Sequence, residues 1–226
     1  MPNKLYLECY SGISGDMTVA ALLDLGADQQ VLMEGLESLN LPGYQLKIGR
    51  VKKNGIDACD FDVILDEPEH HHDHDHEHHH DHDHDHEHHH DHEHEHPHDH
   101  EHEHHHHHDH VHRNIGDIFA IIDQSKISDR AKQTAKDIFR IIAAAESKAH
   151  GIAEDQVHFH EVGAVDSIVD IVSAAICLDN LDITEAVVSD LYEGCGYVHC
   201  QHGLMPVPVP AVVNIAADNA LRLRLT

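Results

Sequence analysis

The stretch VHFHEVGAVDSIVDIVSAAICLDNL, Val157 to Leu181, decides the fold. Its first four residues, Val157 to His160, read as a short strand. Val165 to Leu181 then reads as a helix too rich in Ile, Val and Ala to face solvent, which places it at the centre of the domain. The segments before and after follow suit. Asn114 to Gln124 carries Ile115, Ile118, Phe119 and Ile122 on one helix face, and Ser128 caps a long helix that buries Ala131, Ala135, Ile138, Phe139 and Ile142 and ends at Gly151. Ala186 to Ser189 and Tyr197 to Gln201 read as strands, Met205 to Pro210 as rigid extended chain, and Ala211 to Ala220 as a helix. Near the start, Lys4 to Cys9 is a strand and SGISGDM, Ser11 to Met17, a turn. Asp16 opens a helix with Val19, Ala20, Leu22, Leu23 and Leu25 inward, stopped by Gly26, and Gln29 to Leu39 forms a second. Tyr44 to Val51 and Ile56 to Leu65 flank Lys53-Asn54-Gly55, where Asn-Gly suits a type I′ hairpin turn. The expectation is an α/β fold, a mixed sheet packed with helices, interrupted by one long disordered insertion. Residues 1–66 and 113–226 are expected to complete one domain around the tract 67–112.

Between His70 and His112 the chain places 27 of its 32 histidines, with 14 Asp and Glu and no Lys or Arg until Arg113. Such a stretch has almost no apolar surface to offset the entropy lost on folding, so it reads as disordered. It presents imidazole and carboxylate at high density, the donors that suit Ni, Cu, Zn and Co. The densest runs are His70-His71-His72, His78-His79-His80, His88-His89-His90 and His104-His105-His106-His107-His108. Metal capture is the leading reading. A solvated linker and a polyampholyte that charges as pH falls through about 6.5 stand beside it. The Irving–Williams order would put copper and nickel ahead of iron and manganese.

The chain has 226 residues and a formal charge of −28. An acidic protein without a basic cluster is a poor candidate for nucleic acid or an anionic membrane. Lys47, Arg50, Lys52 and Lys53 make the one local basic patch, read as a solvated strand face. Five scattered cysteines do not suit a disulfide framework. The N-terminus shows no apolar signal region, and no apolar run reaches the roughly 18 residues a membrane span needs. The expectation is a cytoplasmic protein with reduced thiols.

Two constellations carry chemistry. In HFHEVGAVDSIVD, His158 and His160 share one strand face by the period of two. Glu161 and then Asp166 and Asp170, one helical turn apart, add carboxylates. Two imidazoles and a carboxylate make an open site for a divalent metal. The alternative is that the imidazoles satisfy backbone carbonyls while Asp166 caps the helix. In the second group, Cys200 and His202 share a strand face as partial ligands, whereas His199 points the other way and Cys195 stands apart, so four-fold ligation of one ion is not expected. The SGISGDM turn offers Ser11, Gly12, Ser14 and Gly15 either as an anion cradle at a helix N-terminus or as a plain tight turn, and lacks the Gly-Lys-Ser/Thr ending of a Walker loop.

Taken together, LYLECYSGISGDM (Leu5 to Met17), the His-rich insertion, VHFHEVGAVDSIVDIV (Val157 to Val172) and HGLMPVPVPA (His202 to Ala211) resemble the N-terminal part of the LarC family. The resemblance implies a nickel insertase that places Ni²⁺ in pyridinium-3,5-bisthiocarboxylic acid mononucleotide. The product would be the nickel-pincer nucleotide used by lactate racemase. It further implies CTP with Mg²⁺ or Mn²⁺, held by a C-terminal portion of the family's chain, and the lactate racemase apoprotein as a further partner. His160, Glu161, Asp166 and Asp16 are then the expected catalytic groups, and the 11–15 turn the nucleotide contact. Glu8 and Cys195 depart from the family pattern, which has Asp and a small residue there. The rival class is a non-catalytic nickel storage or delivery protein that needs only the tract.

Overall fold

The computed structural model describes residues 2–66, 113–159, 162–200 and 202–226, with the backbone alone at His158. The tract 67–112, His160 and Glu161 therefore lie outside the described residues. In chain order the elements are β1 (Asn3–Leu7), α1 (Gly15–Asp24), α2 (Gln29–Glu37), β2 (Tyr44–Lys53), β3 (Ile56–Leu65), β4 (Arg113–Asn114), α3 (Ile115–Gln124), α4 (Asp129–His150), a 3₁₀ turn Glu154–Gln156, β5 (His158–Phe159) and α5 (Val165–Asn180). They continue with β6 (Ile183–Val188), β7 (Leu191–Glu193), β8 (Gly196–Cys200), β9 (Gly203–Val207), α6 (Pro210–Asp218) and β10 (Leu223–Leu225).

Local chemistry sets most of these boundaries. The Asp28 carboxylate accepts from the N–H groups of Gln30 and Val31 to start α2. Asn114 and Asp117 form a reciprocal capping box on α3, and Ser128 accepts from the Ala131 N–H on α4. Gly151 ends α4 in the left-handed conformation. Asn54 and Gly55 both have positive φ, the backbone a type I′ turn requires between β2 and β3.

α5 is the hub. Ile168, Val169, Val172, Ala175, Ile176 and Cys177 are buried on it, among Val19 and Leu22 of α1, Leu32 and Leu36 of α2, Phe61 of β3, Ile118 and Ile122 of α3 and Phe139 of α4. A Cβ at Gly35 would lie 2.8 Å from Ile176 Cδ1, so glycine there lets α2 approach α5 closely. The central placement expected for this helix is what the structure shows.

The single mixed sheet is not. The strands form five separate pairs: β1–β6 and β7–β10 parallel, β2–β3, β4–β5 and β8–β9 antiparallel. The reason is that helices cover the core. β3 turns Phe61 inward and packs on α1 and α5, while β2 carries Lys47, Arg50, Lys52 and Lys53 exposed, a charged edge that discourages a further strand. Leu25, expected inward, is exposed because α1 ends one residue earlier and leaves it at the C-cap. No helix among the described residues is long and apolar enough to cross a membrane.

Candidate functional site

The 9–15 loop is fastened to the segment that links β6 to β7 and to β7 itself. The Cys9 N–H donates to Ser189 Oγ at 2.9 Å, and the Tyr192 N–H donates to the Cys9 carbonyl at 3.2 Å. Gly12 has φ +83° and its N–H donates to the same carbonyl. Ser11 sits in the turn beside it, and Ser14 occupies the N-cap position of α1 without capping it, since its hydroxyl donates to Asp16 Oδ1 instead. At Gly15 a Cβ would stand 2.4 Å from Asp170 Oδ2 and 2.8 Å from Asp170 Cβ, so only glycine lets the start of α1 meet α5.

That approach brings Asp16, Asp166 and Asp170 together. Burial first, then the charges of Asp16 and Asp166, push the Asp170 carboxyl up to about 6, partly countered by the Asp16 N–H. Oδ1 of Asp166, Oδ1 of Asp170 and the hydroxyl of Ser173, one turn on, are buried and find no hydrogen-bond partner among the described residues. Asp166 lies in the first turn of α5 but does not cap it, for Ala164 holds that position. The anion at the Gly15 end of the cradle is thus the protein's own Asp170.

The sign of this shift gives a test. A carboxyl whose pKa is raised from 3.8 to about 6 keeps, in the folded state, a proton the unfolded chain has already lost. Stability from that source is present below about pH 4 and lost as pH rises through 6. The stability of Asp170→Asn relative to the parent should therefore climb by on the order of 1–2 kcal/mol between pH 4.5 and 7.5, read from denaturant midpoints. A difference that stays flat over that window would mean Asp170 is ionised throughout.

The second arrangement is a cavity of about 290 Å³ bounded by the end of α4, the residues on either side of the β5–α5 turn, the β8–β9 hairpin and the start of α6. Phe159, Val162, Met205 and Val209 supply apolar wall, and Cys200, His202, His150 and Glu146 supply the polar groups. Gly163 makes this corner possible: a Cβ there would lie 2.6 Å from the Phe159 carbonyl, and Arg113 Nη1 donates to the Gly163 carbonyl at 2.8 Å. Cys200 and His202, predicted to share a face, do line one wall. Cys195 instead donates to the Thr226 carbonyl, and His199 is exposed on the hairpin. His150 and Glu146 were not singled out from sequence; their spacing of four on α4, just before Gly151, was the available signal. The rings of His150 and His202 lie 4.9 Å apart at 37°, and His150 Nε2 is 3.5 Å from Glu146 Oε2. Among the described residues no three His, Cys, Asp or Glu side chains are already gathered in a way that could hold a metal ion. Phe159 and Val162, which bracket His160 and Glu161 in sequence, both face this cavity.

The sequence model for the family described as "Nickel insertion protein" matches residues 5–224. A pyridinium-3,5-bisthiocarboxylic acid mononucleotide nickel insertion protein of Alkaliphilus metalliredigens is 61% identical over 227 residues, covering 100% of this chain and 48% of that protein. Proteins of the same name from Clostridium acetobutylicum and Acetivibrio thermocellus are 50% and 40% identical over 93% and 95% of this chain, or 49% and 45% of their own lengths. The chain thus spans about half the length of the curated relatives it matches. No solved structure matches it.

Proposed function

We propose, since this chain belongs to the nickel insertion protein family, that it is the N-terminal, metal-supplying and substrate-contacting portion of a nickel insertase. The substrate is the pyridinium-3,5-bisthiocarboxylic acid mononucleotide named for its relatives, and the product the nickel-pincer nucleotide of lactate racemase. Ni²⁺ is the cargo. Imidazoles of the tract collect it and pass it by ligand exchange to the His158, His160 and Glu161 region, from which the soft thiocarboxylate sulfurs of the substrate draw it. CTP with Mg²⁺ or Mn²⁺ belongs to the C-terminal portion, and the work is done in the cytoplasm, without nucleic acid or membrane.

One observation carries this reading: a single cavity is walled by residues of two separate motifs, Phe159 and Val162 from one, Cys200 and His202 from the other. Its size suits a small aromatic ligand, its apolar wall a pyridinium ring, and its donors a borderline metal. In the 11–15 loop Gly15 is committed to Asp170, so Ser11, Gly12 and Ser14 are the positions left to contact the nucleotide. Burial, reinforced by the charges of Asp16 and Asp166, holds Asp170 near the pKa at which a carboxylate accepts a proton at neutral pH, as formation of a nickel–carbon bond requires.

The test is reconstitution. The chain is combined with the C-terminal portion of a relative, the mononucleotide, Ni²⁺ and CTP, and the metallated product is sought by mass spectrometry. Product with both portions is expected. Nickel transfer to another protein without any product would put the storage and delivery reading, which the tract alone supports, in its place.

A further inference from the structure

Two groups in the cavity wall belong to no motif used so far. Glu146 and His150 stand one turn apart on the last turns of α4, and the His150 ring faces that of His202 at the tip of the β8–β9 hairpin. Cys200 opens the same hairpin tip, its thiol donating to the Gly203 carbonyl at 3.5 Å. An imidazole from each side, a thiol and a carboxylate thus border one space. We propose that His150 and Glu146 join Cys200 and His202 in a thiolate-containing Ni²⁺ transit site, drawn together by the metal across the gap between α4 and the hairpin. This rests on the reading of the chain as a nickel insertion protein.

The donor chemistry explains why such a stop would be useful. The tract offers imidazole and carboxylate, the substrate offers sulfur, and a site of two imidazoles and one thiolate is intermediate in softness. Each exchange then moves Ni²⁺ towards softer donors. On binding, hydrated Ni²⁺ gives up water ligands, the Cys200 thiol releases its proton to solvent as the nickel–sulfur bond forms, and the imidazoles bind through neutral nitrogen. His150 exchanges its approach to Glu146 for the metal, and Glu146 either ligates or steadies the ring. The other cysteines are badly placed for this. Burial raises the thiol pKa of Cys9 and Cys59 and pushes that of Cys177 up to about 12, and Cys195 lies outside the cavity wall.

The test uses the full chain, with Ni²⁺ itself as probe. Residues 67–112 contain no cysteine, so a near-ultraviolet thiolate-to-nickel charge-transfer band reports the cavity even while the tract fills. The band should appear on titration, vanish in Cys200→Ser and survive in Cys195→Ser. His150→Ala and His202→Ala should each raise the nickel concentration needed for half the band by at least about tenfold. Both imidazoles are exposed, so their loss should leave the thermal midpoint unchanged. No band, a band that persists in Cys200→Ser, or a His150→Ala titration matching the parent would each overturn the site. Insertion activity is scored separately: a band without product counts against the insertase reading, and product without a band counts against this site.

Discussion

Gly15→Ala should unfold at lower temperature than the parent chain, although alanine is the better helix former. At the first position of an exposed helix, alanine would be expected to stabilise by several tenths of a kcal/mol. Here the new Cβ would stand 2.4 Å from Asp170 Oδ2, 2.8 Å from its Cβ and 2.9 Å from its Cγ. A rotamer change moves the oxygens but not the Cβ, and α5 is the helix around which the core is built. Overpacking of this kind costs about 1–3 kcal/mol, or roughly 2–4 °C per kcal/mol for a unit of this size. Insertion should fall further than stability, because the shift is delivered to Asp170, one turn beyond Asp166 on α5. Asp170→Ala in the same chain should return part of the loss, giving a favourable coupling in a double-mutant cycle. A Gly15→Ala protein as stable as its parent would show that the two helices part without cost.

His160→Ala should abolish product formation in the reconstituted reaction while leaving almost all bound nickel in place. The asymmetry is numerical. One of 32 histidines is lost, so capacity barely changes, whereas a site of two or three ligands loses its geometry. The converse variant, deletion of 69–110, should lose most of the bound nickel and remain folded, since elements on both sides of 67–109 form one packed unit without it. Circular dichroism and metal analysis read both. Phe159→Leu, which a strand alternation would suggest as a silent neighbour, is not a fair control. Phe159 is 2% exposed, packs near Phe139 at 6.3 Å between centroids and walls the cavity. His199→Ala serves better, being the same residue type on the outer side of the hairpin. Equal activity of His160→Ala and His199→Ala would remove His160 from the mechanism.

Much of this fold is legible in the chain because its signals are local. Ser128 and Gly151 mark both ends of α4, Asn54-Gly55 marks the hairpin, and the strongly apolar stretch after Val165 marks the hub. The pairing of strands is not legible, because it depends on what the helices leave uncovered. β4, β7 and β10, of two or three residues each, carry no periodicity long enough to detect. At the site, alternation within one strand predicts that Cys200 and His202 pair; they do line one wall, but β8 ends at Cys200 and His202 lies in the turn before β9. The partnership of Gly15 with Asp170, 155 positions apart, arises only when α1 meets α5, and that of His150 with His202 only when the β8–β9 hairpin comes to lie beside the end of α4.

The parallel pairing of β1 with β6 aligns Leu5 with Ala186 and Leu7 with Val188. β1 cannot take its partner until a strand some 180 residues later has left the ribosome. Closure is a late, single event of high contact order, and such topologies form slowly. By then every histidine of the tract has been synthesised. If the tract collects nickel as proposed, the metal can be aboard before there is a folded protein to use it, and a metal held equally by nascent and finished chains does nothing to favour folding. On that reading, loading and maturation are independent clocks, started in that order by the distance between β1 and its partner strand.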